Sequence, residues 1–187
     1  VSLRLNDEHH IENCTQKGHT RGIHSINRFL MEHKEYMFGE DLTIWANRSV
    51  DWIHPEVPAH MLELIAEQCE DYDIDGFELD YMRYPHMFNE KETTTEERAA
   101  VMEAFLRSVR EVLNRTERNG KHRWLCIRVP SDIGMWDGIG LIPEHLESLG
   151  VEMVNVSSSY YADQWVRFSD FTNRMPNLAV YFEICHT

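Results

Sequence analysis

Glu78 and Asp80 stand two residues apart in the run Asp75-Gly76-Phe77-Glu78-Leu79-Asp80-Tyr81. On an extended chain that spacing sends both carboxyl groups to one side and Phe77, Leu79 and Tyr81 to the other. Taking an unpaired charge out of water is costly, so two carboxyls on a half-buried strand need either counter-ions or a chemical task. Arg4, Arg83, Arg128 and the histidines offer counter-ions, and a salt-bridged polar interior is the plain alternative. A third acid, Glu183, closes the otherwise apolar run Leu178-Ala179-Val180-Tyr181-Phe182. A buried carboxyl with a raised pKa is what a general acid needs near neutral pH. Two such groups facing each other across a sugar ring would hydrolyse a glycosidic bond, retaining or inverting according to their separation. Asp80 and Glu183 are the expected pair, with Glu78 in reserve.

These residues need strands to hold them, and the hydrophobic pattern supplies strands. Val1-Ser2-Leu3-Arg4-Leu5-Asn6 alternates, and β-type runs begin near residues 76, 124, 151 and 178, the second and third of them following Gly120 and Gly150. Between them lie helical stripes. Met61, Leu62, Ile65 and Cys69 share one face, as do Val101, Ala104, Phe105, Val109, Val112 and Leu113. Thr93 with Glu96, and Thr94 with Glu97, offer capping boxes at the start of the second stripe. Pro143 and Gly150 bracket a further helix over Glu144 to Leu149. Strand and helix in alternation specify an α/β protein with a parallel sheet.

A complete TIM (β/α)8 barrel needs about 250 residues, so the 187 here hold roughly five of its eight strands. A doubly wound sheet is the alternative, but no strand leads into G-x-G-x-x-G or a phosphate-binding loop. The expectation is a single, partial barrel domain over residues 1–187. Because the sequence opens and closes on strand-like runs, a fragment of a larger domain is expected.

In such barrels chemistry gathers at the carboxyl ends of the strands. The five ends here run through Asn6-Asp7-Glu8-His9-His10, then Glu78 to Pro85, Arg128 to Asp132, Ser157 to Tyr161, and Glu183 to His186. All five are polar or aromatic. Asn6, Asp7, His9, His10, Arg83, Tyr84, Arg128, Tyr160 and His186 are therefore expected to line a groove. Tyr81, Tyr84, Phe88, Trp136, Tyr160, Tyr161 and Trp165 add aromatic faces on which the apolar side of a sugar ring can pack. Asp7, His9 and His10, with His19 and His24 nearby, could instead make a metal-dependent hydrolase site. Their spacing is not H-E-x-x-H, and hydrogen bonding to substrate is the preferred reading, with no metal or cofactor expected.

With 32 acidic against 18 basic residues the formal charge is -14. That argues against a nucleic-acid backbone or an anionic membrane as partner. No apolar run reaches the length of a spanning helix, and no secretory leader is visible. Cys14, Cys69, Cys126 and Cys185 lack C-x-x-C spacing and read as free buried thiols. Asn-x-Ser/Thr sites occur at Asn13, Asn47, Asn114 and Asn155, the last in an expected strand.

Asp73-Ile74-Asp75-Gly76-Phe77-Glu78-Leu79-Asp80-Tyr81-Met82-Arg83-Tyr84-Pro85 resembles the Y-D-V-D-G-I-x-L-D-x-x-R-Y-P strand of the family 10-like glycosyl hydrolases, bacterial TIM-barrel proteins. Ser2-Leu3-Arg4-Leu5-Asn6-Asp7, the segment from Phe29 to Tyr36, and Trp52-Ile53-His54-Pro55-Glu56-Val57 resemble the same proteins. The resemblance covers residues 1 to 90 well and the rest weakly. It implies a glycosidase acting on a polysaccharide or oligosaccharide, in a secreted or periplasmic setting. A non-catalytic carbohydrate-binding barrel is the rival. The D-G-x-x-L-D core is shared by amylase-like and α-galactosidase-like barrels, whose last aspartate is the nucleophile on the fourth strand. Carried over, that residue is Asp80, and the Glu183 strand then counts as the seventh, where many retaining barrels keep their second carboxylate. Those enzymes usually carry glutamate on both strands, so the departure here leaves acid and nucleophile unassigned.

Overall fold

Five apolar runs form five parallel strands: β1 (Ser2–Arg4), β2 (Gly76–Asp80), β3 (Trp124–Pro130), β4 (Met153–Ser157) and β5 (Ala179–Phe182). This computed structural model describes residues 1–6, 28–41, 43–82, 84–158 and 166–183. Sheet order equals chain order, β1-β2-β3-β4-β5. A doubly wound sheet reverses its order at a switch point; this one never reverses. What the described residues contain is thus an α/β unit with a singly wound, five-stranded parallel sheet.

Four α-helices accompany it: α1 (Arg28–Glu32), α2 (Glu56–Asp71), α3 (Thr95–Arg115) and α4 (Phe168–Thr172). On α2 the buried residues are Val57, Met61, Ile65 and Cys69, a strict four-residue repeat on one face. The buried face of α3 includes Met102, Phe105, Leu106, Val109, Val112 and Leu113. Both faces belong to one core with Phe77, Leu79, Leu125, Ile127, Val129, Val154 and Val156 from the strands. Each Leu or Ile so buried contributes about 1.5–3 kcal/mol. The alternate strand positions, Glu78, Asp80, Arg128, Asn155 and Tyr181, fall on the opposite face of the sheet, away from the helices.

Local signals set the element ends. Of the two possible capping boxes, Thr94 with Glu97 forms: Glu97 N donates to Thr94 Oγ1 at 3.2 Å, and Thr94 N to Glu97 Oε2 at 2.8 Å. The Thr93 hydroxyl instead donates to the Asn89 carbonyl. The last turns of α2 and α3 converge on Arg123, only 1% exposed. Its guanidinium donates to the carbonyls of Cys69 and Tyr72 and to Thr116 Oγ1, placing a cation at the electronegative ends of both helices. The helix expected over Glu144 to Leu149 is instead two 3-10 turns, Pro143–His145 and Glu147–Leu149. Six residues between a proline and a left-handed Gly150 (φ 83°) are too few for the cooperative ladder of an α-helix. Among the described residues no helix is long and apolar enough to cross a membrane. Cys69 and Cys126 are buried free thiols, whereas Cys14 and Cys185 lie outside the described residues.

Candidate functional site

Asp80 is the last residue of β2 and is 4% exposed. Register pairs it with Arg4 of β1 on one side and Arg128 of β3 on the other. Arg128 Nη1 donates to Asp80 Oδ2 at 3.0 Å, and Arg4 Nε lies 3.8 Å from the same oxygen. The other oxygen, Oδ1, accepts from the backbone N–H of Met82 at 2.8 Å. Burial pushes the Asp80 carboxyl above the ordinary aspartate range, and the Met82 N–H, Arg128 and Arg4 only partly offset it.

The same guanidinium reaches across the sheet. Arg128 Nε donates to Glu183 Oε2 at 2.8 Å, and Nη2 lies 2.7 Å from that oxygen. Nη2 also donates to Ser157 Oγ at 3.1 Å, at the end of β4. Asp80 and Glu183 therefore stand a single guanidinium apart, at the carboxyl ends of strands with β3 and β4 between them. Burial works against the charge on Arg128, but its two carboxylate partners outweigh that and hold it above the ordinary arginine value. On the Asp80 side this ion pair is largely buried, so removing one partner would strand a charge away from water.

Glu183 departs from expectation in one respect. Its backbone N–H continues the β4–β5 ladder to the Val156 carbonyl, but its side chain is 37% exposed rather than buried. It stands one residue beyond β5. Glu78 does not join the group at all. Its oxygens accept from Ser2 Oγ at 2.7 Å, Asn155 Nδ2 at 3.4 Å and the Cys126 thiol at 3.6 Å, two residues nearer the amino end of β2.

Other expectations sort by what the side chains touch. Asn6 is 2% exposed and is not a groove residue. Its amide donates to the carbonyls of Val50 and His86 and accepts from Val50 N–H, tying the end of β1 to two distant loops. Tyr84 is half-buried beside the end of β2. Tyr81, Phe88 and Trp136 are core residues, not sugar platforms. The Trp136 indole donates to the Pro130 carbonyl and the Tyr81 hydroxyl to Met102 Sδ. Asp7, His9, His10, Arg83, Tyr160 and His186 lie outside the described residues, as do His19, His24, Tyr161 and Trp165. Among the described residues no group of three or more His, Cys, Asp or Glu side chains is placed to hold a metal ion.

Residues that the sequence reading passed over also face the site side of the sheet. Cys126 and Trp124 precede Arg128 by two and four residues, and Tyr181 precedes Glu183 by two. Extending the strand alternation backwards from each charged residue finds them. Asn155 pairs in register with both Arg128 and Tyr181.

No family model matches the chain, the family 10-like hydrolases resembled by residues 73–85 included, and no curated protein matches it. Among solved structures it is similar to a glycoside hydrolase family 18 N-acetylglucosaminidase from Paenibacillus barengoltzii, at 18% identity and a TM-score of 0.48. That alignment covers 70% of this chain and 45% of the other, so the chain spans under half of that enzyme's length. Such a likeness carries no argument about the chemistry, which rests on this chain's own residues.

Proposed function

We propose that the sheet is part of a TIM-type (β/α)8 barrel acting on a polysaccharide or oligosaccharide, with Asp80 and Glu183 as its carboxylate pair. The observation that carries this reading is the convergence of both acids on Arg128 at the carboxyl ends of their strands. The unreversed strand order and the helix-free polar face are the arrangement a barrel interior requires. Asp80, whose carboxyl burial shifts upward from the ordinary aspartate value, is the more acid-like member of the pair. Glu183, exposed and fixed on a guanidinium edge, is suited to approach the sugar as nucleophile or base. Arg128 orients the two and donates to glycan hydroxyls when the sugar displaces part of the network. Glu78, with neutral partners only, is set aside from the chemistry.

One observation favours a second reading, a barrel that binds carbohydrate without cleaving it. Both carboxylates are ion-paired to one guanidinium, and an acid committed to an ion pair is a poor proton donor. Incubating the full chain with a panel of polysaccharides separates the two. Release of reducing ends supports hydrolysis, retention of a polysaccharide without release supports binding, and neither result for any glycan overturns both.

A further inference from the structure

Five rings meet where the connection between β1 and α2 folds onto the first turns of α2. Phe29 of α1 stacks on His60 of α2, ring centroids 4.1 Å apart and planes 12° from parallel. His33 lies 5.0 Å from Phe29, Tyr36 stacks on His33 at 5.2 Å and 12°, and His54 stands 5.0 Å from Tyr36. All five are half-buried, and all lie between positions 29 and 60, well inside the chain and on the helix-covered side of the sheet. Beyond Tyr36 the connection is firmly tied: the Asp51 N–H donates to the Tyr36 carbonyl at 2.8 Å and the Phe38 N–H to the Ser49 carbonyl at 3.0 Å. Before it, α1 is seated by Leu30 in the core and by the Phe29 ring on His60.

The three imidazoles are not equivalent. His33 Nδ1 lies 3.0 Å from Glu35 Oε1, and His54 acts on both Glu35 and Asp51, so each has a carboxylate ready for its charged form. Among the described residues neither ring nitrogen of His60 has a hydrogen-bond or ion-pair partner. Glu63, almost one turn along α2, is the carboxylate that acts on it. Of the other charges nearby, Arg28 and Glu32 on α1 pair with each other at 2.7 Å, Lys34 is exposed, and Glu56 acts on the Tyr36 hydroxyl. Burial pushes the His60 imidazole below the ordinary histidine value, and Glu63 only partly offsets it. A charged ring gains some attraction to the Phe29 face, but to stay seated it must hold a cation with two N–H donors partly out of water.

We propose that the Phe29–His60 stack is an acid-operated latch. With His60 neutral it seats α1 and the 3-10 turn Lys34–Tyr36 on the start of α2; a proton on His60 frees them. The seated form keeps its full stability above pH 6.5, the ordinary histidine value, and loses it as pH falls below that. Histidine is the side chain whose charge ordinarily changes in this range. Asn6 ties the same connection, at Val50, to the loop after β2, at His86, so the latch works at the end of the sheet where Asp80 stands. It needs no glycan and stands whether or not Asp80 and Glu183 cleave one.

Hydrogen exchange of the full chain at about pH 7.5 and about pH 5.5, on either side of the histidine range, is the test. It is read by mass spectrometry on a peptide covering residues 29–37. The His33, Tyr36 and Met37 amides, bonded to the Phe29, His33 and Lys34 carbonyls, report the seat. After correction for the intrinsic pH dependence of exchange, protection is expected to fall about threefold or more on acidification, while a peptide from α3 holds steady. His60→Phe keeps a stacking ring that takes no proton, and its protection is expected to be equal at both pH values. His60→Gln, which lacks the ring, is expected to be equally insensitive to pH, and His33→Gln to keep the fall. No fall in the parent, an equal fall in the α3 peptide, a fall that survives in both His60 variants, or one that vanishes in His33→Gln would each overturn the proposal.

Discussion

Arg128 and Asp80 are joined at 3.0 Å across β2 and β3, and the guanidinium that makes this bond also carries Glu183. Opposite charges from three strands meet at one end of the sheet, on the face that the helices leave open. Two carboxylates this close to each other would repel if the cation between them were removed.

Replacing Arg128 by Met therefore does more than delete a contact. It leaves the Asp80 anion, 4% exposed, with only the Met82 N–H and Arg4 at 3.8 Å to support it among the groups named above. Breaking a largely buried pair from one side costs about 3 kcal/mol. Denaturant unfolding of Arg128→Met against the parent is expected to show a loss of that size. A loss within experimental error would mean that the network contributes nothing to the fold.

Asp80 gives a pH signature whose sign is fixed by its burial. Its native carboxyl titrates above the ordinary value of 3.8. Between 3.8 and that raised value the folded chain holds a proton that the unfolded chain has already lost. Stability contributed by this group is thus highest below that window, falls as pH rises through it, and stays low above it. Asp80→Asn removes the slope. Urea unfolding at a series of pH values should show the parent losing stability relative to Asp80→Asn as pH rises; a relative gain would contradict the burial-dominated environment.

The buried Arg123 ties two helix ends to the start of β3. Arg123→Met fills the space but withdraws the guanidinium from the Cys69 and Tyr72 carbonyls, the latter keeping the Ile74 N–H at 3.1 Å. Buried acceptors left unsatisfied cost about 1–3 kcal/mol together with the lost helix-end charge. A lowered denaturation midpoint with an unchanged slope is expected, and unchanged or raised stability would show that the cation was a net burden there.

Much of this architecture is legible in the residues. Period-two alternation locates all five strands, three of them opened or preceded by a glycine, because a strand buried on one face has few other ways to satisfy its pattern. The four-residue repeat of α2 and the long stripe of α3 are equally direct. The short segment from Glu144 to Leu149 is misread because cap residues identify where a helical turn starts and stops, not whether enough residues lie between. The carboxylates Asp80 and Glu183 are visible as strand-end acids, but the bond that unites them depends on the register of β3 and β5, which no local pattern encodes. Asn6 looks like a groove residue until loops more than forty positions away present their carbonyls to it. Tyr81, Phe88 and Trp136 share that difficulty: an aromatic after a strand can turn toward the mouth or under the helices, and packing decides.

Catalysis is tested most directly by the rate of reducing-sugar release from a glycan that the full chain cleaves, measured for the parent, Asp80→Asn and Glu183→Gln. Each substitution keeps the side-chain shape and removes one acid. The expected result is a fall of about a hundred- to ten-thousand-fold for both, with circular dichroism unchanged. Parental rates in either variant would contradict the assignment of that carboxylate, and parental rates in both would end the account of Asp80 and Glu183 as a working pair.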